Sequence, residues 1–426
     1  MISRYETPAM TEIWSDQRRL DTWAQVELAV LSAQVETGVL PDSAWKQAIG
    51  LLVPTPEQVA ERELVTRHDV VAFLDVWGAE FAHLGMTSSD LVETAQSIAL
   101  VESTGILMLA LVELSATCHQ HALDHWDTHR VGRTHGQNGT IDTWGHRMAD
   151  FTTALDRQLM RLVRAGQDVA VAKLSGPTGT YADISREVEM RAAYELLLTP
   201  ADVASQILMR DRLIHWAHVV AETIGVCEAL ATEIRLMAHG DVAEARESFG
   251  DEQKGSSSMP HKRNPVNAER ICGMARLARA YSAALEPSIV QWHERDIAHS
   301  SVERVALADL CQVSHFALLE TNRLIKGLRI NPYRMLDKVV SDPNLSSHRV
   351  LAALMRAGIP RATAHDYVQK ATREAWKTSL RREIAQTLPQ AFQDTVLDLE
   401  EVFSLTGATA GMDWIRDALA SDGDLV

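Results

Sequence analysis

Hydrophobic residues in this chain recur at intervals of three and four positions over long stretches. The clearest row consists of Leu213, Trp216, Val220, Ile224, Cys227, Leu230 and Ile234. With 3.6 residues to a turn, this spacing places every member of the row on one face of a long helix, and no strand would show that period. A second row consists of Ile271, Met274, Ala278, Tyr281 and Leu285, and residues 91–122 are similarly apolar without a proline. We therefore predict an all-α fold in which several long helices form a bundle.

Stretches rich in glycine, proline and small polar residues interrupt this pattern near 85–90, 174–181, 250–265 and 342–347. If the first and last are domain limits, the chain has an N-terminal helical domain over residues 1–92, a central long-helix bundle over 93–345, and a C-terminal helical domain over 346–426. The apolar helix faces exceed what one bundle needs. This excess predicts contacts between copies of the chain.

The composition supports the helical prediction and restricts the function. The 426 residues include only 13 prolines and 22 glycines, so helix breakers are scarce. The formal net charge of −16 disfavours general binding to nucleic acid or anionic membranes, because both require a basic surface. A small anionic substrate is compatible with this charge if basic side chains are concentrated in one place.

The cysteines and the apolar segments indicate the cellular setting. No CxxC spacing is present, which predicts reduced core residues rather than a zinc site or a disulfide scaffold at Cys118, Cys227, Cys272 and Cys311. The first residues show no apolar run behind a positive region. The most apolar stretch, residues 105–112, is followed by Glu113 and is too short to cross a bilayer. We therefore expect a soluble, cytoplasmic protein.

The most unusual segment is QKGSSSMPHKRNPVN at residues 253–267. A glycine and three serines precede basic residues and a proline, Pro265, that could open the next helix. Such a loop can present backbone N–H groups, serine hydroxyls and the ammonium group of Lys262 to a carboxylate or a developing anion. By composition alone, a flexible solvated linker is an equal alternative.

Histidines mark three further segments. GRTHGQ at residues 132–137 places His135 beside a glycine, where its side chain could project from a turn and exchange protons near neutral pH. TRHDVVAF at 66–73 and HLGMTSSD at 83–90 add histidines, an arginine and hydroxyl groups. Each segment has an alternative interpretation, since a lone histidine is often structural and Thr, Ser and Asp are ordinary helix caps.

A metal site is the less favoured interpretation of the remaining histidines. His121, His125 and His129 have the i, i+4 spacing of one helix face, but no HExxH motif is present and no carboxylate or cysteine obviously completes a site. A polar helix face is therefore favoured. The sequence also lacks GxGxxG and GxxxxGK[ST] motifs, so no dinucleotide or P-loop site is indicated. We predict no metal and no cofactor.

Together these segments resemble the aspartase/fumarase superfamily, and within it the adenylosuccinate lyase branch. The similarity runs along nearly the whole chain in the same order, through RYETPAMTEIWSDQRRLDTW, TRHDVVAF, HLGMTSSD, GRTHGQ, KLSGPTGTYADIS, QILMRDR, QKGSSSMPHKRNP, WHERDIAHSSVER and SSHRVLAALMRAG. TRHDVVAF and WHERDIAHSSVER select this branch over the fumarase, aspartase and argininosuccinate branches.

The resemblance implies a carbon–nitrogen lyase of purine biosynthesis that works by β-elimination. Its reactions would be the cleavage of adenylosuccinate to AMP and fumarate and the analogous cleavage of succinylaminoimidazole carboxamide ribotide. It also implies a helical homotetramer whose long helices form the core and whose active sites are each assembled from three subunits.

The resemblance further implies roles for individual residues. Ser256 would be the base and His135 the acid, with Glu269 supporting His135. Lys262 and Asn264 would bind the carboxylate that becomes an aci-anion, and His68 would contact the substrate phosphate or assist the acid. The substrate-binding positions implied in the same way are Arg4, Tyr5, Arg67, His83, Thr87, Ser88, Gln206, Ser257, Asn264, Arg295, Ser300 and Arg304.

One segment departs from the family pattern. After GRTHGQ the family usually continues with an Ala-x-Pro-Thr-Thr-Phe pattern, whereas residues 138–144 read NGTIDTW. The change removes a proline and introduces Asp142 close in sequence to the predicted acid. Either the helix start after His135 is repacked, or the pocket has altered specificity. The latter would suit a related lyase that acts on another succinyl or aspartyl adduct.

A third possibility is a structural protein that keeps the lyase fold without activity. The presence of Ser256, His135, Lys262 and Glu269 argues against it.

Overall fold

Helices dominate the fold, as predicted. The computed structural model describes residues 1–422 except 251, 253, 256, 257, 343 and 393, and it has an all-helical, multi-domain architecture. The helices in chain order are α1 (Pro8–Ile13), α2 (Asp16–Glu36), α3 (Asp42–Ile49), α4 (Pro56–Thr66), α5 (Asp69–Trp77), α6 (Ser88–Asp124), α7 (Trp144–Val169), α8 (Arg186–Glu195), α9 (Asp211–Met237), α10 (Val266–Leu285), α11 (Ala298–Lys326), α12 (Pro332–Ser341), α13 (Ser347–Arg356), α14 (Arg361–Glu374), α15 (Leu380–Ala391), α16 (Leu399–Val402), α17 (Leu405–Thr409) and α18 (Asp413–Asp422).

Short strands form three two-stranded sheets among the described residues. β1 (His129–Thr134) and β2 (Gln137–Thr143) form an antiparallel hairpin with an irregularity in register between Gly132 and Arg133. The other pairs are parallel β3 and β4 and antiparallel β5 and β6, with bounds Val171–Ala172, Thr199–Pro200, Ala245–Arg246 and Arg329–Ile330.

The long helices confirm the periodicity of the sequence. The whole apolar row that begins at Leu213 lies on α9, and no member of it is more than 6% exposed. The second row lies on α10, which begins directly after Pro265, and residues 91–122 lie within α6. Burying one continuous apolar face along each helix is what makes these segments helical, because intrinsic propensity alone is a weak determinant.

The chain forms two compact units, each built from three segments. Unit 1 comprises residues 1–113, 155–229 and 270–321, and unit 2 comprises residues 114–154, 230–269 and 322–426. The limits of these segments fall inside long helices rather than in the polar stretches. The division into three consecutive domains stays a prediction.

Unit 1 has an aromatic and aliphatic core around α2, α5 and α8. The Phe73 ring meets the Trp23 ring edge-on at 5.6 Å between centroids and stacks on the Trp77 ring at 5.5 Å. A buried ion pair lies in the same unit, with Lys173 Nζ 2.7 Å from Asp90 Oδ1 and both side chains fully buried. Edge-on and stacked arrangements at these distances are favourable for aromatic rings. The buried charge of Asp90 needs Lys173 as its partner, because an unpaired charge in the core is strongly destabilising.

Unit 2 contains the β1–β2 hairpin and most of the shorter C-terminal helices. Val131 and Ile141 of the hairpin pack with Val339 and Leu345, while α13, α14 and α15 share a separate core. At the hairpin turn, His135 and Gly136 have φ of 55° and 72°. Two consecutive positive φ values are typical of a two-residue hairpin turn.

This hairpin corrects one expectation. We expected a helix to start soon after His135, but residues 137–143 form β2 instead, and α7 begins only at Trp144. Thr140 and Ile141 pair with Gly132 and Val131, so the altered segment satisfies its backbone hydrogen bonds in a ladder.

All four cysteines are buried and none of them forms a disulfide bond, as predicted. Residues 105–112, which are too short to span a bilayer by themselves, lie inside the 37-residue α6. By length and composition, both α6 and α9 could cross a membrane. The most apolar windows of α6 and α9 are 50% and 61% buried. Core helices of soluble proteins meet the same criteria, so these helices are weak evidence for a membrane.

Candidate functional site

Five of the predicted site residues line one cavity in unit 1. It has a volume of about 300 Å³ and is lined by residues from α1, α2, α5, α6 and α11 and from the segment before α11. The predicted site residues on its wall are His68, Ser88, Arg295, Ser300 and Arg304. They come from segments that are far apart in sequence. The residues that line the cavity include the arginines Arg19, Arg295 and Arg304 and the carboxylates of Asp16, Asp69, Glu93 and Glu303.

Hydrogen bonds connect several of these groups. Ser88 Oγ lies 3.4 Å from His68 Nε2, and Arg304 Nε donates to Ser300 Oγ at 3.4 Å. Arg304 also bonds Asp69, with 2.5 Å from Nη2 to Oδ2. Burial alone would raise the pKa of Asp69, but the hydrogen bond and charge of Arg304 outweigh it and the pKa is lowered. Asp69 is therefore held ionised beside the cavity.

Two further cavity residues were missed by the sequence analysis. Ser89 accepts a hydrogen bond from Arg295, with 2.8 Å between Nη1 and Oγ. His299 is 4% exposed and lines the cavity beside Ser300. Burial lowers the pKa of His299, and the charges of Arg210 and Arg295 lower it further. The adjacent hydroxyls in HLGMTSSD and the histidine in WHERDIAHSSVER were the available signals.

Other predicted substrate-binding residues of unit 1 are not among the described residues that line this cavity. Arg4 is exposed in the 3₁₀ helix Ser3–Tyr5, and the Tyr5 ring packs edge-on against Phe316 at 5.3 Å. Arg67 ends α4 with a φ of 52°, and Gln206 is half-buried in the segment before α9.

His83 and Thr87 have structural partners. The backbone N–H of His83 donates to Glu27 Oε2 at 2.8 Å, and His83 Nδ1 lies 2.7 Å from Glu27 Oε1. The backbone N–H of Thr87 donates to Asp90 Oδ2 at 2.7 Å. Asp90 Oδ1 in turn accepts from Lys173 Nζ, so the turn at the start of α6 is tied to a buried ion pair.

In unit 2, His135 is exposed at the tip of the β1–β2 hairpin. Its φ of 55° is uncommon for a residue with a side chain, although histidine adopts this region more readily than bulky or branched residues. The turn predicted for His135 is therefore present. Its role as the acid stays a prediction.

Asp142 lies well away from His135 along the hairpin. Asp142 pairs with Arg130, which precedes His135 by five residues on the chain. Asp142 and His135 are therefore about 17 Å apart along the ladder, at ~3.3 Å per residue. Proximity in sequence was misleading here, because a hairpin separates residues of the same strand and brings cross-strand partners together.

Asp142 belongs instead to a charge network on a second cavity, of about 1090 Å³, in unit 2. Its carboxylate accepts from Arg130 Nε at 3.2 Å and lies 2.8 Å from His146 Nδ1, while Arg130 Nη1 donates to Glu233 at 2.7 Å. Burial would raise the pKa of Asp142, but the bonds to His146 and Arg130 lower it. The hydrogen bond that His146 donates to the Asp142 carboxylate raises the pKa of His146 against the opposing effect of burial.

The signature loop, residues 255–265, lies in unit 2. Ser256 and Ser257 fall outside the described residues, whereas Asn264 Nδ2 donates to the carbonyl oxygen of Gly255 at 3.2 Å. Lys262 is exposed, and so is Glu269 in the first turn of α10. Among the described residues, no hydrogen bond or ion pair joins Lys262 or Glu269 to His135.

Glu247 is a further residue that the sequence analysis missed. Its carboxylate accepts from the backbone N–H of Asn267 at 3.2 Å and of Ala268 at 2.8 Å, at the start of α10. Burial raises the pKa of Glu247, and these hydrogen bonds oppose the rise. An acidic side chain at a helix N-terminus is favourable, and here it joins the two ends of the segment that contains the signature loop.

The sequence of this chain is similar to those of known lyases. A family model described as "Lyase" matches residues 3–279. The adenylosuccinate lyase of Synechocystis sp. is 41% identical over 385 residues, which cover 89% of each chain. That of Deinococcus radiodurans is 37% identical over 94% of this chain and 97% of its own. The chain belongs to the adenylosuccinate lyase family.

A solved structure supports the fold assignment for this adenylosuccinate lyase family member. The fumarate lyase from Mesorhizobium sp. BNC1 superposes with a TM-score of 0.87 over 99% of both chains, at 22% identity. At that identity the likeness concerns the fold alone. The matching family model and the adenylosuccinate lyase relatives confirm the resemblance that the sequence motifs carry.

The histidines considered for a metal site do not share one helix face. α6 ends at Asp124, His125 follows it, and His129 begins β1. The rings of His121 and His125 lie 5.7 Å apart, and His125 Nδ1 lies 3.1 Å from Thr128 Oγ1. Within the described part of the chain, no group of three or more His, Cys, Asp or Glu residues could hold a metal ion.

Proposed function

We propose that this chain catalyses β-elimination of fumarate from adenylosuccinate, giving AMP, and from succinylaminoimidazole carboxamide ribotide. Relatives named adenylosuccinate lyase from several bacteria, at 34–41% identity over most of the chain, support the proposal. The observation that carries it is the convergence of His68, Ser88, Arg295, Ser300 and Arg304 on the cavity of unit 1. Their hydroxyl and cationic groups suit an anionic nucleotide.

The reaction needs a base and an acid on opposite sides of the bond that breaks. In our proposal Ser256 takes the proton from the carbon beside one succinyl carboxylate, the electron pair forms the double bond of fumarate, and the carbon–nitrogen bond breaks. His135 protonates the departing nitrogen, and Glu269 supports it. Lys262 and Asn264 hold the carboxylate on which negative charge develops.

A serine alkoxide needs an environment that stabilises it, since a serine hydroxyl is a poor base in water. Loop N–H groups and the ammonium of Lys262 would supply that stabilisation once solvent is excluded. His135 is suited to the acid role by its exposure at a tight turn, because the side chain extends from the tip of the hairpin with little crowding.

The predicted residues are divided between the two units, with His68 and the arginines in unit 1 and His135, Lys262 and Glu269 in unit 2. We propose that the protein is a cytoplasmic homotetramer in which each active site is assembled from three subunits. The exposed apolar residues on α6, including Val101 at 36% and Leu109 at 70%, support an oligomer. No cofactor, nucleic acid or membrane takes part.

The test is to incubate the purified protein with adenylosuccinate and to follow AMP and fumarate together. Equimolar formation of both products is expected, and the same assay with succinylaminoimidazole carboxamide ribotide should release fumarate. Size-exclusion chromatography with light scattering establishes the assembly of the same sample. A folded tetramer that leaves adenylosuccinate intact would overturn the proposal.

The alternative is a related lyase that acts on another succinyl or aspartyl adduct. It was suggested by the altered segment 138–144, which forms β2 and contributes Asp142 to the unit 2 cavity. Asp142 is engaged by Arg130 and His146 and is remote from the hairpin tip, so its presence gives this alternative little support. Fumarate release from a panel of other succinyl adducts, without turnover of adenylosuccinate, would favour it.

A further inference from the structure

The guanidinium group of Arg210 is almost completely buried in unit 1, at 3% exposure, and all five of its N–H groups have acceptors. Nη1 and Nη2 donate to the two carboxylate oxygens of Glu93, each at 2.6 Å. Nε and Nη2 donate to Glu303 at 2.7 and 3.2 Å, and Nη1 also donates to the carbonyl oxygen of Leu208 at 2.8 Å. Five donors in a fixed plane are the full complement of an arginine.

These acceptors belong to the elements that carry the predicted substrate-binding groups. Glu93 lies on α6, five residues after Ser88, and Glu303 lies on α11, three residues after Ser300. Leu208 lies in the segment that contains Gln206, directly before α9. One guanidinium group therefore connects the backbone segments of Ser88, Ser300 and Gln206.

The arrangement lies behind the unit 1 cavity rather than inside it. Glu93 and Glu303 are among the residues that line the cavity, whereas Arg210 is not one of the described lining residues. Arg210 lines instead a separate small cavity of about 30 Å³, together with Glu93 and Leu208. Arg210 is thus placed to act on a ligand only through its partners.

We propose that Arg210 is a positioning residue, which holds α6, α11 and the segment before α9 in the register that binding of the substrate requires. The inference rests on the proposed function. A buried cation between two carboxylates stabilises a core inefficiently, because removing the charges from water costs free energy. Apolar side chains of similar volume often stabilise a core as well or better. What the buried arginine does provide is a fixed geometry, because bidentate hydrogen bonds set both the distance and the angle of each carboxylate.

Arg210→Lys is the decisive substitution. Lysine keeps the charge but has three donors and no planar fork, so it cannot hold both carboxylates and the Leu208 carbonyl oxygen. We expect KM for adenylosuccinate to rise at least about tenfold, because even a small displacement of the binding groups weakens their contacts with the substrate. Loss of folded enzyme would instead lower the apparent kcat and leave KM unchanged.

Arg212→Lys is the matched control. Arg212 belongs to the same RDR segment and is exposed, and its side chain donates to the carbonyl oxygen of Asp168 at 3.3 Å. KM and kcat of this variant should stay within about twofold of the wild type, the scatter expected of a surface change. An equal rise in KM in both variants would contradict a special role for Arg210.

Glu303→Gln provides a second variant if Arg210→Lys folds poorly. Glutamine keeps one acceptor for Nε but turns an N–H group toward Nη2, so one of the two bonds is lost. A KM increase of at least about threefold is expected, smaller than that of Arg210→Lys because the Glu93 bonds remain. An unchanged KM in Glu303→Gln, with a native melting curve, would overturn the positioning role.

Hydrogen exchange gives a readout that does not depend on activity. In Arg210→Lys, amides of residues 88–99 and 298–308 should exchange at least about tenfold faster than in the wild type, while Arg212→Lys matches the wild type. Unchanged exchange in these two segments would overturn the inference even if the enzyme is active. A wild-type protein without turnover would reject the proposed function, and the exchange result would still decide the role of Arg210.

Discussion

Asp142 lies directly opposite Arg130 on the β1–β2 ladder, and its Oδ2 accepts a hydrogen bond of 3.2 Å from Arg130 Nε. The same carboxylate contacts His146, four residues later in the first turn of α7. The residue that departs most clearly from the family pattern is thus the centre of a local charge network. This makes a structural role the first explanation of the departure.

Asp142→Thr, which restores the hydroxyl of the family pattern, should therefore affect stability more than catalysis. Arg130 would keep Glu233 but lose a largely buried acceptor, a loss of about 1–3 kcal/mol in the free energy of unfolding. Urea denaturation at matched protein concentration measures the change, and kcat/KM for adenylosuccinate should stay within about twofold of the wild type.

Asp150→Thr is the control for that substitution, because Asp150 is 61% exposed and pairs with Arg147 at the surface. Its effect should be below about 1 kcal/mol. If Asp142→Thr instead lowered kcat/KM by tenfold or more at unchanged stability, Asp142 would belong to the active site and the altered-specificity hypothesis would regain its support.

The His146–Asp142 pair predicts a pH dependence of stability. The pKa of His146 is raised, so its contribution is complete below its ordinary pKa of about 6.5 and is lost as the pH rises through the higher folded value. The pKa of Asp142 is lowered, so its contribution is present above about 3.8 and is lost as the pH falls through the folded value. The pair stabilises most between these limits.

Comparison of the wild type with His146→Gln measures this dependence. The thermal midpoint of the variant should lie below that of the wild type at about pH 6, and the gap should narrow at about pH 8.5 as the imidazolium of the wild type loses its proton. A gap that widens toward alkaline pH would show that His146 stabilises the protein in its neutral form.

The proposed acid and base make the strongest prediction for activity. His135→Ala and Ser256→Ala should each lower kcat by at least about a hundredfold, the scale of a lost general acid or base. His135→Ala should leave the melting temperature nearly unchanged, because His135 is exposed. His215→Ala, an exposed histidine of α9, is the control and should retain normal kcat. Near-normal rates in both variants would refute the assigned roles while leaving the family unaffected.

The Lys173–Asp90 pair predicts a large loss of stability. Lys173→Met would leave the fully buried carboxylate of Asp90 without its cation, which costs about 3–5 kcal/mol. Lys46→Met removes an exposed partner of Asp42 and should cost less than about 1 kcal/mol. Urea midpoints at matched protein concentration compare the two variants. Equal effects would mean that Asp90 is satisfied by its backbone donors alone.

Much of the architecture was predictable from the sequence because helical periodicity is a local property. The row that begins at Leu213 specified α9 and its buried face, and the spacing of the cysteines indicated reduced thiols in the core. The family was also predictable, because motifs such as WHERDIAHSSVER keep their order along the chain. The roles of Ser256, His135 and the substrate-binding residues remain predictions.

Tertiary structure decided which of these local features meet. Arg304 and Asp69 are 235 residues apart, Arg295 and Ser89 are 206 apart, and Arg210 and Glu93 are 117 apart, yet each pair is hydrogen-bonded. The sequence by itself determined the helices, the family and the turn that presents His135. Only the packing of the folded chain placed Arg210 behind the cavity and Asp142 opposite Arg130, because such contacts join residues whose sequence separation carries no periodic signal.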